Sequence, residues 1–176
     1  MTSSPAEPDG VLEHTDTGAV LRFERHLHHP VEAVWAAVTE PSRLAEWWLP
    51  FPADITVDLR PGGRMVMTAN GDEPFTMDFE VLRVEPPLLL EHTHADPGSR
   101  LLWELDPVDD GCILRLSHFV TDPAVAIERC YLVGLHASLE RLNPCLDGAP
   151  IEWDWEGFAR HQARYAAAGL APEEPH

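Results

Sequence analysis

His92 and His94 flank Thr93 at the end of the apolar run "PLLLEHTH", and His118 closes a second run, "CILRLSHF". Residues two apart in an extended chain share a face. His92 and His94 therefore lie on the side of Leu88 and Leu90, and His118 on the side of Leu114 and Leu116. Imidazole titrates near neutral pH and is a common zinc ligand, so three such rings entering one cavity could hold a metal, hydrogen-bond a polar ligand, or move a proton. The plainer fate of each ring is a bond to water or a neighbour. No carboxylate spacing converges on the three, so neither a metal nor a cofactor is expected.

Other chemistry-bearing residues read as structural. His26, His28 and His29 fall on the outward face of a strand or in the turn beside Pro30. Cys112 shares parity with Leu114 and reads as a buried core thiol rather than a nucleophile. No G-x-S-x-G elbow, P-loop or GxGxxG occurs, and "PGGR" has too few glycines to cradle a phosphate. The segment "WDWEGF" (Trp153 to Phe158) reads two ways, as an intramolecular dock for the last helix or as an exposed patch for a partner.

Elements must position these residues. Ala19, Leu21, Phe23 and Leu27 alternate with Arg22, Glu24 and His26, which predicts a half-buried strand. Val31, Val34, Trp35 and Val38 follow at helical spacing, and "PSRLAEWW" opens a second short helix that Pro50 and Pro52 stop. Consecutive helix residues point about 100° apart, so Trp47 and Trp48 cannot face one core. Further runs end in turns at "RPGGR", "NGDEP", "EPP" and "VDDG", the pattern of an antiparallel meander of seven strands in all. A bulge is expected in "VLRVEPP", because without one Arg83 would share the inward face of Val81. Asp122 and Pro123 open an amphipathic helix of about 20 residues through Ile127, Tyr131, Leu135, Leu139 and Leu142, bent or ended near Asn143 and Pro144. A final helix ends at Gly169. Residues 1–17, rich in Ser, Pro and acid, read as a flexible tail, 18–146 as the domain and 147–176 as a C-terminal extension.

The stretches "RFERHLHHPVEAVWAAVTEPSRLAEWW", "RPGGRMVM", "FEVLRVEPPLLLEHTH" and "LLWELDPVDDGCILRLSHF" resemble the START-like (SRPBCC) superfamily, and within it the activator of Hsp90 ATPase homologue family. The resemblance spans about residues 19–146. It implies an α+β helix-grip fold: a curved antiparallel sheet with two short helices after its first strand, wrapped round a long C-terminal helix, with one extra helix added here. The long helix in that family usually carries a Gly-Trp pair, where this chain has Val133 and Gly134. In such a fold either Trp47 packs inward while Trp48 lids a cavity, or both indoles fill gaps between helix and sheet. Strand parity gives the cavity Met65, Met67, Met77, Phe79 and Leu90, with His92, His94, Trp103, Leu116 and His118 beside them. Tyr131 and Leu135 form its roof.

Composition narrows the partners. A formal net charge of -18 on 176 residues repels phosphate backbones and anionic lipid, so neither nucleic acid nor a membrane surface is expected. Three cysteines without CxxC spacing, and no leader-like or long apolar run, fit a reduced cytoplasmic location. The expected ligand is a hydrophobic or amphipathic small molecule. Two readings compete with a carrier: a cyclase- or hydratase-like enzyme acting on an aromatic or polyketide-like compound, and a co-chaperone-like module that meets a protein partner. A homodimer is also open.

Overall fold

The structure is a computed structural model that describes residues 7–173. Strand β2 (Gly18–Leu27) buries Leu21, Phe23 and Leu27 and exposes Arg22, Glu24 and His26, as its alternation requires. Its outer neighbour is β1 (Val11–Thr15), antiparallel, with Val11 opposite Arg22 and Thr15 opposite Gly18. The tail expected over residues 1–17 therefore gives way at Val11, while residues 1–6 lie outside the described residues. "VLEHT" buries no face, so no hydrophobic alternation marks it, and ladder hydrogen bonds hold it. Gly18 makes the turn with φ +146°, where a Cβ would lie 2.0 Å from the carbonyl oxygen of Val120.

Helices α1 (Val31–Thr39) and α2 (Pro41–Trp47) follow, separated by an extended Glu40. The meander then runs through β3 (Ala53–Val57), β4 (Arg64–Ala69), β5 (Thr76–Glu85), β6 (Leu89–Thr93), β7 (Arg100–Val108) and β8 (Gly111–Val120). With β1 the sheet has eight strands, not seven, in the order β1-β2-β8-β7-β6-β5-β4-β3. The register of β5 on β6 shifts between Val81 and Arg83, which is the expected bulge. It leaves Val81 buried opposite His92 and turns Arg83 out to solvent opposite Glu91.

The long C-terminal helix is present as a run with two breaks. Asp122 caps α3 (Pro123–Glu128), its Oδ1 accepting from the Ala124 N–H at 2.9 Å. Cys130, in the left-handed region at φ 58°, separates α3 from α4 (Tyr131–Glu140), and Arg141 separates α4 from α5 (Leu142–Leu146). The last helix, α6 (Trp155–Ala167), docks on α4. The result is the α+β helix-grip arrangement, with α1, α2 and α4 supplying buried side chains to a core closed against the inner face of the sheet. Among the described residues no helix is long and apolar enough to cross a membrane, which says nothing of membrane-crossing strands.

Candidate functional site: a cavity between the sheet and helix α4

A cavity of ≈ 270 Å³ opens between α4 and the inner face of the sheet. Six of the thirteen expected site residues border it: Trp48, Met77, His94, His118, Tyr131 and Leu135. The other seven share their strand faces but lie elsewhere. Met65, Met67, Leu90, Trp103 and Leu116 are sealed in the core, and Trp103 packs its ring against Trp47 at 6.1 Å. Phe79 borders a neighbouring surface depression beside His94. His92 is buried and does not border the cavity.

Contrary to the expectation from helical rotation, the adjacent indoles share one core: their rings meet at 5.4 Å and both pack on Trp103, at 6.1 and 5.3 Å, because Trp48 sits at the end of the helix where the chain turns back over the sheet. Trp47 is 0% exposed and donates its N–H to the Ala37 carbonyl at 2.8 Å. Trp48 faces the cavity but is only 6% exposed, so it forms wall rather than an open lid. The exposed ring at the rim is Trp155, 63% exposed. Trp153, Trp155 and Phe158 all border the cavity, so "WDWEGF" both docks and contributes to the site. Sequence reasoning raised this segment only as a dock or a partner patch. The available signal was the aromatic density itself.

The three histidines have different environments. Trp103 Nε1 can only donate, so its 3.1 Å contact makes His92 Nε2 an acceptor and leaves Nδ1–H to donate to the Thr93 carbonyl at 2.8 Å. With both nitrogens engaged, His92 has no lone pair for a metal. His118 Nε2 meets Ser99 Oγ at 2.7 Å, while its Nδ1 is buried without a partner. His94 Nδ1 is likewise unpartnered, and its ring lies 5.1 Å from that of His118. Burial drives all three toward neutrality: His92 and His118 fall to about 4, the latter against the pull of Asp96, and His94 falls well below its usual range with the two other histidines adding to the effect.

A test of stability against pH follows. His92 and His118 stay neutral in the folded chain down to about pH 4, whereas in the unfolded chain each takes up a proton near pH 6.5. Above pH 6.5 neither state is protonated; below it the unfolded state binds more protons, so stability falls with pH and levels off below about pH 4. Moving from pH 7.5 to pH 6.0 costs on the order of 1 kcal/mol for each of His92 and His118. Urea denaturation at both pH values checks this, and His92→Phe should lack one share of the slope.

Two turns hold the polar end. Asp96 accepts from Tyr131 Oη at 2.6 Å and pairs with Arg129 at 2.8 Å, joining the β6–β7 turn to the start of α4. Ala95 and Cys130, both non-glycine residues at φ 58°, flank His94 and Tyr131 respectively. Left-handed non-glycine residues carry backbone strain and cluster at functional sites.

Two histidine–carboxylate groups lie away from this cavity. His26, His28 and Asp110 are exposed, on the strand end and turn expected to be plain surface. His136, Glu140 and His161 are more enclosed, but their protons stand where a metal needs lone pairs. Arg164 donates to His161 Nδ1 at 2.9 Å, so His161 Nε2–H donates to Glu140 at 2.8 Å. Tyr165 Oη accepts from the Gly10 N–H at 2.7 Å and lies 2.8 Å from His136 Nδ1, while His136 Nε2 is 3.7 Å from Glu140. The cluster ties residues 9 and 10 and α6 to α4.

The comparisons with known proteins agree with this architecture. A sequence model described as Activator of Hsp90 ATPase homolog 1-like protein matches residues 28–147. No curated protein matches the chain in sequence. Among solved structures, a Bordetella parapertussis protein is 25% identical with a TM-score of 0.68, over 99% of both chains. A Mesorhizobium loti protein is 29% identical, TM-score 0.58, over 75% of this chain and 99% of that one. CalU16 from Micromonospora echinospora, at 24% identity and TM-score 0.66 over 90% and 96%, shares the fold.

Proposed function

The chain belongs to the activator of Hsp90 ATPase homolog 1-like family, and on that premise we propose that it binds a hydrophobic or amphipathic small molecule in the cavity between the sheet and α4. The observation that carries this reading is the cavity itself, ≈ 270 Å³, walled chiefly by apolar and aromatic side chains with a few buried polar atoms, the usual make-up of a small-molecule site. Its volume lies just below the range usual for drug-sized ligands, which favours a small compound. Three free cysteines support a reducing, cytoplasmic location.

Gly134 makes the test clean. It lies inside α4, borders the cavity, and a Cβ added there would meet nothing within 4 Å. A glycine inside a helix costs about 1 kcal/mol relative to alanine, so filling this position does not harm the fold. The expected result is that native mass spectrometry of the purified chain finds a stoichiometric apolar compound, and that Gly134→Leu has lost it while melting no lower than the parent. Equal retention by Gly134→Leu would sink the reading. So would an empty chain that instead co-purifies with a protein partner or a second copy, for which Trp155 and Ile151, 63% and 49% exposed, offer a surface.

The unpartnered Nδ1 atoms of His94 and His118 favour one further reading, an enzyme of cyclase or hydratase type in which a neutral ring takes a proton from the bound compound. Under it the retained compound is consumed on incubation, and His94→Phe or His118→Phe keeps binding but loses turnover.

A further inference from the structure

Four buried side-chain polar atoms lack a hydrogen-bond partner among the described residues, and three of them belong to residues bordering this cavity: His94 Nδ1, His118 Nδ1 and Trp153 Nε1. Buried polar groups are rarely left unpaired, because the lost bond to water is not recovered. Three such atoms, on residues that surround one apolar space, are groups that a ligand's own polar atoms would satisfy. Trp153 can only donate, and each unpartnered Nδ1 donates or accepts according to the ring's tautomer, His118 Nε2 being already engaged by Ser99.

Rings dominate the rest of the boundary. Trp48, His94, His118 and Tyr131 form a chain of contacts with centroids 6.2, 5.1 and 5.2 Å apart. Trp153, Trp155 and Phe158 form a second group, with Trp155 at 5.6 Å from each of the others. This second group begins after residue 147, where the family match ends, so it is an addition to the shared domain. Ring faces and edges favour aromatic partners over flexible chains beyond what buried area alone gives.

Charge and size complete the specification. Arg129, the charged side chain on the boundary, is already paired with Asp96 at 2.8 Å, and the chain's net charge of -18 opposes an anion. At the packing density of protein interiors, a cavity of ≈ 270 Å³ holds roughly 200 Å³ of ligand, about two or three fused rings. Resting on the small-molecule reading above, we infer that the cavity takes an uncharged, flat aromatic compound bearing hydroxyl or carbonyl oxygens, one of which accepts from Trp153 Nε1–H while the imidazoles of His94 and His118 meet the other polar groups. The C-terminal segment thereby sets the ligand class.

Isothermal titration calorimetry at pH 7.5 with four probes tests this: naphthalene, a naphthalenediol with its hydroxyls on opposite rings, a naphthoate, and decanol. The diol should bind about tenfold or more tighter than each of the others. Trp153→Phe keeps a ring but removes the donor, and should weaken the diol about fivefold while leaving naphthalene unchanged. Equal or tighter binding of naphthoate or decanol overturns the assignment, as does an equal effect of Trp153→Phe on diol and naphthalene. The parent reading fails separately: if Gly134→Leu leaves every probe bound as before, or no probe binds at all, the cavity is not the ligand site. Where decanol binds best and Gly134→Leu abolishes it, the cavity reading stands and the aromatic assignment falls.

Discussion

Trp47→Ala should destabilise the fold by about 4 kcal/mol, the largest loss expected from any single substitution considered. The indole is 0% exposed, and its ring packs at 5.4 Å from Trp48 and 6.1 Å from Trp103, filling the space where α2, α1 and β7 meet. Truncation removes that packing, leaves a cavity the helices cannot collapse into, and strands the Ala37 carbonyl that the indole N–H satisfies at 2.8 Å. Urea denaturation of parent and variant gives the figure. Trp47→Phe separates the two contributions, since it retains most of the buried ring but no donor, and should lose about half as much. A loss below about 1 kcal/mol for the alanine variant would mean that the neighbouring rings repack into the gap, and that Trp47 does not hold α2 on the sheet.

The sheet was largely legible in the residues because a strand with one buried face writes a period of two. Leu114, Leu116 and His118 illustrate it, and Val81 with Arg83 located even the bulge, since a charged side chain cannot share the inward face. Strand β1 was not legible: at the edge of the sheet it is held by backbone bonds, and Val11 to Thr15 bury no face. The break at Cys130 was hidden for a different reason. Apolar residues keep helical spacing from Ile127 to Leu142 across it, and periodicity cannot register a single residue in the left-handed region.

The site was half legible for a geometric reason. Parity assigns a face, but a cavity is the part of that face that no other layer covers. Leu116 and His118 share β8's inner face, yet only His118 reaches the cavity, with Leu116 sealed in the core. Likewise Met77 borders the space while Met65 and Met67 on the next strand do not. The C-terminal aromatics lie far along the chain from these strands, so no local pattern joins them to the site. What brings them there is a buried charged side chain on the helix run, Arg141.

Arg141→Met should cost about 3 kcal/mol and also loosen the ligand site. The guanidinium is 9% exposed and, among the described residues, is surrounded by carbonyl oxygens rather than a carboxylate. Nη1 donates to Trp47 at 2.9 Å and Leu49 at 2.7 Å, Nη2 to Glu46 at 3.1 Å, and Nε to Ile151 at 3.1 Å. Glu46 and Trp47 are the last residues of α2, where helix carbonyls lack internal partners and carry the negative end of the dipole. The planar fork thus completes that helix end and ties to it both the Trp48–Leu49 wall and the segment leading to Trp153, whose ring lies 5.8 Å from the guanidinium carbon. Methionine matches the volume but leaves these carbonyls without a donor, and lysine, a single point charge, cannot serve directions so far apart. Arg141→Lys should therefore recover less than half of the loss. Denaturation measures the stability term, and calorimetry with the naphthalenediol measures the second. If Arg141→Met costs under about 1 kcal/mol and leaves diol binding unchanged, the aromatic segment is held by its apolar contacts alone, and the cavity wall does not depend on the clasp.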